Sequence, residues 1–519
     1  MSTPAPALLW TAATAAASDR YTMDTLGVPS LLLMERAALC VSRQTAARWR
    51  DRGEQGSAGV GVMVGPGNNG ADGLAVARQL RGWGVPVQAW MVTETHNRAV
   101  AEQLGLARAM GVKVHRGLPD DDQAGRLWVD GLLGTGSRGA PRGAVAEAVQ
   151  WLRGVEAECI AIDLPTGLDP DTGVVTGPAV RAWCTVTFAR SKPGLHVTPG
   201  RAHAGRIVVA DIGLADPPDM DDRLALLDPA GVATILRRLP AGAHKGERGL
   251  LGIVGGSPGT TGAVLLAGTA ALRAGAGLVT VASPDPALGS MLLAARPELM
   301  TAPLHHDPPL APRQLLPRAQ ALVVGPGLTD EASQRMLPRL FLEDSRPALW
   351  DASALDHVPT DGATPTAPRV ITPHPGEAAR LLAKIDPEVG WSSSLVQAER
   401  LEAARRLASA IHALVVLKGE GTVIAAPDGL TWVAVSGGPA LATAGSGDVL
   451  AGLGGAMLAR GASPSAAARV AVHVHGVAGE RLGDGPGPVA LDIAEALPEV
   501  MRALVEDSRH PRWPDLRRG

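Results

Sequence analysis

The carboxylate most open to a chemical reading is Asp448, which closes a Gly-Ser-Gly turn in the run ATAGSGDVLAGL, Ala442 to Leu453. Such a turn delivers the carboxylate into the start of a helix. Backbone N–H groups there stabilise developing phosphate charge, and the carboxylate can take a proton from an attacking hydroxyl. Upstream, LKGEGTVIA from Leu417 places Lys418 before Gly419, Glu420, Gly421 and Thr422, a strand and Gly-rich turn suited to nucleotide phosphates or ribose. An isolated GxGD is common, but its placement after LKGxGT is not. Lysine is scarce beside arginine, and Lys192, Lys245 and Lys418 fall in the Gly-adjacent motifs SKPG, HKG and LKG. A compact ammonium differs there from a guanidinium, although a solvated surface is the ordinary setting for any one lysine.

A second constellation lies in the first half. The strand ending at Val64 runs into GPGNNGADG, Gly65 to Gly73, and then into the helical LAVARQL. Gly65, Gly67 and Gly70 satisfy GxGxxG, with Glu94 near the expected ribose-binding position, a weak signal for an ordinary dinucleotide fold. Asn68, Asn69 and Asp72 point to something more specific, because a plain pyrophosphate turn has no use for two amides and a carboxylate. DGLLGTGSRG, Asp130 to Gly139, adds a strand-end carboxylate and another anion-accommodating loop. IDLPTGLDPDTG, Ile162 to Gly173, puts Asp163 at the end of a buried strand. Ligands of open α/β sheets sit beyond the carboxyl ends of the strands, so all three segments can face one crevice. An isolated Asp-x-Pro would only cap its turn; three converging motifs favour catalysis or substrate contact by Asp163.

The elements that must position these residues read as two α/β series. Short apolar runs alternate with Gly-rich turns and Ala/Leu/Arg helices, the pattern of a mainly parallel sheet. The first series has runs at Val60–Val64, Val85–Val92, Leu127–Leu133, Ile160–Leu164, Thr185–Phe188 and Ile207–Ile212. ADPPDMDDR, Ala215 to Arg223, then disfavours both helix and strand and reads as a linker. The second series has runs at Leu250–Val254, Leu278–Ala282, Ala321–Val324, Ala348–Trp350 and Ala413–Leu417, followed by an Ala-rich helical region. A chain of 519 residues needs more than one core, and the expected domains are residues 1–217 and 223–510. The polar tail from Arg509 is expected to fray.

With 46% hydrophobic residues, 19% charged and a net charge of −3, the composition excludes a dominant electrostatic partner such as nucleic acid or anionic membrane. Aromatics at 3% are too few for stacking platforms. Cys40, Cys159 and Cys184 are widely spaced with no CxxC pair, which argues against disulfides or zinc and fits a reducing cytosol. The Ala-rich start lacks a basic leader and is broken by Asp19 and Arg20, so a cytoplasmic location is expected. The uncharged Gly249–Leu272 stretch is interrupted by GGSPG and reads as strand, turn and helix rather than a membrane span.

The N-terminal motifs, from PSLLLMERAAL near Pro29 to TFARSKPGL, Thr187 to Leu195, resemble the NAD(P)HX epimerase family. The resemblance implies that Asn68, Asn69, Gly70, Ala71 and Asp72, with Gly134, Thr135, Gly136, Ser137, Arg138, Gly139 and Ala140, bind the hydrated nicotinamide nucleotide. It implies that Asp163 contacts the substrate and that Asn69, Asp130 and Thr166 coordinate K+. Ala71 departs from the family's usual Gly, a change that matters if the position needs positive φ. In the C-terminal half, HKGERGLLGIVGGSPGTTGA from His244, VVGPGL from Val323, LWDASAL from Leu349 and ITPHPGEAARLL from Ile371 resemble the ADP-dependent NAD(P)HX dehydratases of the ribokinase-like superfamily. That resemblance places Ala263, Gly327, His374 and Asp448 at the hydrate, and Lys418, Gly419, Glu420, Gly421, Thr422 and Gly447 at the adenine nucleotide. Gly438 stands where the family commonly has Asn.

The fold expected is a Rossmann-like doubly wound domain followed by a ribokinase-like α/β domain, and the activity is repair of hydrated nicotinamide cofactor. One half would epimerise the R and S hydrates. The other would transfer a phosphoryl group from ADP or ATP, with Mg2+ and with Asp448 as base, and eliminate phosphate to restore NAD(P)H. A homo-oligomer is expected. Two rival readings stay open here: a small-alcohol kinase fused to a binding domain, and a first half that serves only as a binding or scaffolding module. His374 between prolines could merely cap a turn, yet its TPHPGE setting favours ligand contact; His473 and His475 lack a third metal ligand and read as structural.

Overall fold

The computed structural model describes residues 7–53, 58–220, 223–236, 246–304 and 314–507. His244 and Lys245 of the HKG motif, Asp221 and Asp222 of the linker, and the tail from Arg509 lie outside the described residues. The chain forms two compact units, one of Leu8–Leu224 and a second that begins at Ala225 and also takes in Ala7.

The first unit holds a seven-stranded sheet: β1 (Val60–Val64), β2 (Val87–Met91), β3 (Lys113–Arg116), β4 (Leu127–Gly131), β5 (Cys159–Ile162), β6 (Ala182–Phe188) and β7 (Arg206–Ala210). Its order is β3-β2-β1-β4-β5-β6-β7, with every pairing parallel. The chain reverses direction across the sheet between β1 and β4, which is where a doubly wound sheet opens a crevice. β1 and β4 are buried throughout, as expected of parallel strands covered on both faces. β3 was not anticipated from the sequence, because KVHR is a short edge strand that is mostly exposed and carries little apolar signal.

The second unit contributes β8 (Leu224–Leu226), β9 (Leu250–Val254), β10 (Leu278–Ser283), β11 (Leu299–Pro303), β12 (Ala321–Val324), β13 (Ala348–Trp350), β14 (Arg369–Ile371), β15 (Leu414–Leu417), β16 (Val423–Ala425) and β17 (Thr431–Val433). They form one ten-stranded sheet in the order β11-β10-β9-β12-β13-β14-β15-β16-β17-β8. From β11 to β15 the pairings are parallel, and β15-β16-β17 is an antiparallel meander. The Gly249–Leu272 stretch is strand β9, a turn and the helix Thr261–Arg273. The helix Ser446–Ala459 is buried from Val449 to Ala459 and packs flush on its neighbours. A Cβ at Gly452 would overlap the Ala267 carbonyl, and one at Gly455 would overlap Val323. Among the described residues, no helix is long and apolar enough to cross a membrane.

Candidate functional site

In the first unit the three sequence motifs leave the carboxyl ends of adjacent strands β1, β4 and β5. Register pairs Met63 with Asp130 and Asp130 with Ala161, so the loops start at one level. The GPGNNGADG turn is drawn tight against its neighbours: a Cβ at Gly65 would overlap the Leu132 carbonyl, and one at Gly70 the Gly65 carbonyl. Helix Asn68–Gly82 begins inside the motif. Ala71 is buried in that helix and is not among the positive-φ residues, so its departure from glycine carries no backbone strain.

Asn68, Asn69, Asp72, Gly134, Thr135, Gly136, Ser137 and Asp163 line one cavity of about 540 Å3. Arg138, Gly139 and Ala140 are not part of its lining; Arg138 instead meets Asp171 at 3.2 Å and Asp169 at 3.6 Å. Glu94 is exposed and also outside the lining.

Asp163 has φ +63°, an uncommon backbone for a non-glycine residue, and one that Asp tolerates better than most. Its carboxylate is surrounded by donors. Lys192 Nζ lies 2.7 Å from Oδ1, Thr187 Oγ1 at 3.2 Å and the Phe188 N–H at 3.4 Å. The Thr135 hydroxyl and N–H donate to Oδ2. Burial alone would raise the pKa, but Lys192 and the Thr135 donors outweigh it and hold the carboxyl below its ordinary value. Lys192 is itself buried and also donates to Thr187 Oγ1 at 3.0 Å and the Phe188 carbonyl at 3.1 Å.

Two further carboxyls share the cavity, and both are pushed the other way. Burial and then Asp163 raise Asp72 well above its ordinary value; burial and Asp163 also raise Asp19, against Lys192. Asp19 belongs to helix Ala12–Arg20, ahead of every motif, and sequence reading had treated it only as an interruption of the N-terminal apolar run.

Asp130 and Thr166 lie behind the cavity. Asp130 is fully buried and accepts from the Thr166 N–H at 2.8 Å, the Thr166 hydroxyl at 2.7 Å and the Leu132 N–H at 3.2 Å. Burial pushes its pKa up to about 6 against these hydrogen bonds. Asn69 Nδ2 donates to the Leu133 carbonyl at 3.0 Å, and Thr166 Oγ1 lies 3.3 Å from the same oxygen. One carboxylate, one amide, one hydroxyl and one carbonyl therefore converge.

In the second unit, β13, β14 and β15 deliver Asp351, Thr372 and Lys418 from successive strand ends. Lys418 Nζ lies 2.7 Å from Asp351 Oδ1 and 3.9 Å from Glu377 Oε2. Burial works against this ammonium, but Asp351 and then Glu377 keep its pKa above the ordinary value. Gly447 sits over the pair: a Cβ there would be 3.6 Å from Lys418 Nζ and 3.7 Å from Asp351 Oδ2. Asp448 is in the first turn of helix Ser446–Ala459. Burial, then Asp351, push its pKa up to about 7 against the pull of Lys418. A carboxylate poised there is matched to proton transfer at neutral pH.

The Lys418–Thr422 loop is braced by a residue that sequence reading missed. Arg400 is buried, and its guanidinium donates to the carbonyls of Leu417 at 3.0 Å, Lys418 at 3.1 Å and Gly421 at 3.4 Å. Ala263 and Gly327 are neighbours, with a Cβ at Gly327 falling 3.2 Å from that of Ala263. His374 is the N-cap of helix Pro375–Ile385: Nδ1 accepts the Gly376 N–H at 3.0 Å, while Glu377 accepts the His374 N–H at 2.7 Å. The capping role set aside in the sequence reading is thus present, and the half-exposed imidazole keeps Nε2 on its outer side, 3.5 Å from Glu377 Oε1. His475 Nε2 bonds the Ser446 carbonyl at 2.9 Å, a structural role as anticipated. Gly438 is extended, ahead of the short turn Pro439–Leu441.

A family model described as YjeF-related protein N-terminus matches residues 30–194, and one described as NAD(P)H-hydrate dehydratase matches residues 251–499. The bifunctional NAD(P)H-hydrate repair enzyme Nnr of Moorella thermoacetica is 38% identical over 96% of this chain and 97% of the relative. The Escherichia coli enzyme of the same name is 33% identical over 97% of this chain and 96% of its own. Among solved structures, the ADP/ATP-dependent NAD(P)H-hydrate dehydratase from Bacillus subtilis, co-crystallised with ATP/Mg2+, is 29% identical, covering 54% of this chain and 98% of that one with a TM-score of 0.48.

Fold and family matches together describe a two-headed α/β enzyme, with a Rossmann-like isomerase unit and a kinase-like lyase unit in one chain. Similarity spanning both units leaves the fused small-alcohol kinase unfavoured. The chain belongs to the bifunctional NAD(P)H-hydrate repair enzymes, which combine an epimerase with a nucleotide-dependent dehydratase.

Proposed function

We propose that the two activities divide between the units, with Asp163 at the reacting centre of one and Asp448 at that of the other. The observation that carries this reading is the pairing of a carboxylate with an ammonium in each unit: Asp163, just past β5, is in contact with the buried Lys192, and Asp448, in the first turn of helix Ser446–Ala459, lies within electrostatic reach of the part-buried Lys418. In the epimerase unit, Asn68, Asn69 and Asp72 with Gly134 to Ser137 hold the hydrated nucleotide, while Gly70 and Ala71 build the helix start behind them and Arg138 to Ala140 lie outside the cavity, and Asp163 faces the carbon whose hydroxyl changes side. Held ionised by Lys192, it favours the positive charge that develops on the nicotinamide ring as the hydroxyl takes up a proton from solvent and leaves as water; water then adds to the opposite face and gives the proton back.

K+ would be held by Asn69, Asp130 and Thr166. The oxygens of Asp130, Thr166 and Leu133 that meet here suit a large monovalent cation, with the Asn69 side chain, whose Nδ2 reaches the Leu133 carbonyl, at the same point, and the ion's charge would compensate the buried Asp130.

In the dehydratase unit, Lys418 to Thr422 with Gly447 hold ADP or ATP, and Ala263, Gly327 and His374 hold the S hydrate. Asp448 accepts the hydroxyl proton as that oxygen takes the terminal phosphoryl group and the phosphoanhydride bond breaks. Phosphate then leaves with the electrons of the C–O bond and a neighbouring ring proton is lost, restoring NAD(P)H. Mg2+ bound with the nucleotide would supply neutralisation of the phosphate charge.

The test is to incubate the purified protein with mixed hydrate epimers and ADP or ATP and to follow reduced-cofactor absorbance. Complete recovery is expected with nucleotide and none without it. Recovery that stops when the S epimer is exhausted would remove the epimerase assignment, and accumulation of a stable phosphoester would replace the dehydratase with a kinase.

A further inference from the structure

Asp351 lies outside every binding role considered so far, yet it is the residue on which the dehydratase site is hung. It follows the last residue of β13 and is only 2% exposed. Its N–H donates to the Val324 carbonyl at 3.0 Å, which fixes the backbone at the strand end. Oδ1 accepts both the Thr372 hydroxyl and the Lys418 ammonium, each at 2.7 Å, while Oδ2 faces the Gly447 turn. Three neighbouring strand ends are thereby tied at one point, under the turn that presents Asp448.

We propose that Asp351 is the positioning residue of the dehydratase site: its carboxylate clamps the Lys418 ammonium beside the Gly447 turn and so sets the charge that Asp448 faces. This rests on the reading of Asp448 as the base. Alone, Lys418 would lower the proton affinity of Asp448, whereas Asp351 raises it. With its charge balanced by Asp351, the base keeps the elevated affinity for protons that burial gives it. The anchored ammonium, with three strands holding it, cannot swing onto Asp448 in place of the transferring phosphoryl group.

Among the other groups around this turn, only Glu377 shares in the balance, and from a longer distance than Asp351. Glu377 is 3.9 Å from Lys418 and itself raised by burial, against Lys418. His374 is engaged as the helix cap. His475, fully enclosed, is lowered to about 4 by burial and stays neutral while it bonds the Ser446 carbonyl. The helices Thr261–Arg273 and Ala490–Asp507 bring the apolar Leu266 and Ala490 to the Gly445 end of the turn.

The experiment measures kcat for S-hydrate dehydration against pH in the full chain at saturating nucleotide, for wild type, Asp351→Asn and Lys418→Met, with Asp448→Asn as the reference. Wild type is expected to lose rate as pH falls through about 7, where Asp448 takes up its proton. Asp351→Asn is expected to slow turnover and move this acidic limb down by ~1 pH unit, because Lys418 is left unbalanced. Lys418→Met is expected to move it up. A slowed Asp351→Asn whose limb does not move makes Asp351 a purely structural residue and overturns the proposal. If Asp351→Asn does not fold, Lys418→Met decides: an upward shift supports the clamp and an unmoved limb overturns it. Full activity in Asp448→Asn would remove the base and the proposal together, a result distinguishable from failure of the clamp alone.

Discussion

The two sites place an aspartate next to a lysine in opposite ways. Asp163 is in direct contact with its ammonium, receives further donors from Thr135, Thr187 and Phe188, and is held below the ordinary carboxylate range. Asp448 is kept apart from its ammonium, because Asp351 occupies Lys418, and it is raised to about 7. The first arrangement fixes a negative charge and the second leaves a proton acceptor loosely poised. Ring epimerisation passes through a positively charged state that a fixed anion favours, whereas phosphoryl transfer begins by taking a proton from a hydroxyl.

The hardest blow to this contrast comes from Asp163→Asn. Asn tolerates the left-handed backbone at this position, so the variant removes charge with little change of shape. Epimerisation should be abolished while dehydration of the S hydrate continues, checked by adding pure S or pure R hydrate with nucleotide. Epimerisation at the wild-type rate would mean that the fixed anion is idle. Asp448→Asn should cut the dehydration kcat by ~10²–10⁴, the usual loss for a general base. Nucleotide affinity, read by titration calorimetry, should stay nearly constant, and so should epimerisation; lost nucleotide binding would instead make Asp448 a structural or metal-positioning group.

Lys192→Met sharpens the comparison from the cation's side. It leaves the buried Asp163 without its partner, and breaking such a pair costs about 3–5 kcal/mol. The unfolding transition of the epimerase unit should fall in temperature while that of the dehydratase unit stays in place. An unchanged melt would show that the Asp163 charge is balanced from elsewhere. The smallest effect is expected from separation: a cut within residues 215–223 should give two soluble fragments, each retaining its own activity, and molten or insoluble fragments would count against independent domains.

What could be seen in the sequence was whatever a contiguous run of residues encodes. Strand, glycine turn and helix follow one another within GPGNNGADG and ATAGSGDVLAGL, so the carboxyl-end loops and Asp448 were legible. Partners that meet only through the sheet were not. Lys192 was visible as part of SKPG, but its contact with Asp163, 29 positions earlier, depends on the β5–β6 pairing. Asp351 meets Lys418 across 67 positions, and Arg400 reaches the Lys418–Thr422 loop from a separate helix. Among the strands missed, β14 (Arg369–Ile371) and β17 (Thr431–Val433) are three residues long and too short to show a period of their own, while β3 and β11 (Leu299–Pro303) are largely exposed edge strands. His374 shows a different limit: its place between prolines made a cap legible, and the structure has that cap, while the ligand contact favoured by the TPHPGE setting leaves no mark in the local hydrogen bonds.

The close fit of helix Ser446–Ala459 narrows the ways this enzyme can vary. Gly452 and Gly455 face the core, and a methyl group at either would press on the Ala267 backbone or on Val323 and lift the helix that carries Asp448. In a saturation library across this helix, the core-facing side should therefore be nearly as intolerant as the active-site end. Survivors of Gly452→Ala or Gly455→Ala should carry a second, size-reducing change on the opposing surface, at Val323 for the latter. The helix and its neighbours would then drift only as correlated sets, slowly in comparison with the exposed strand β3.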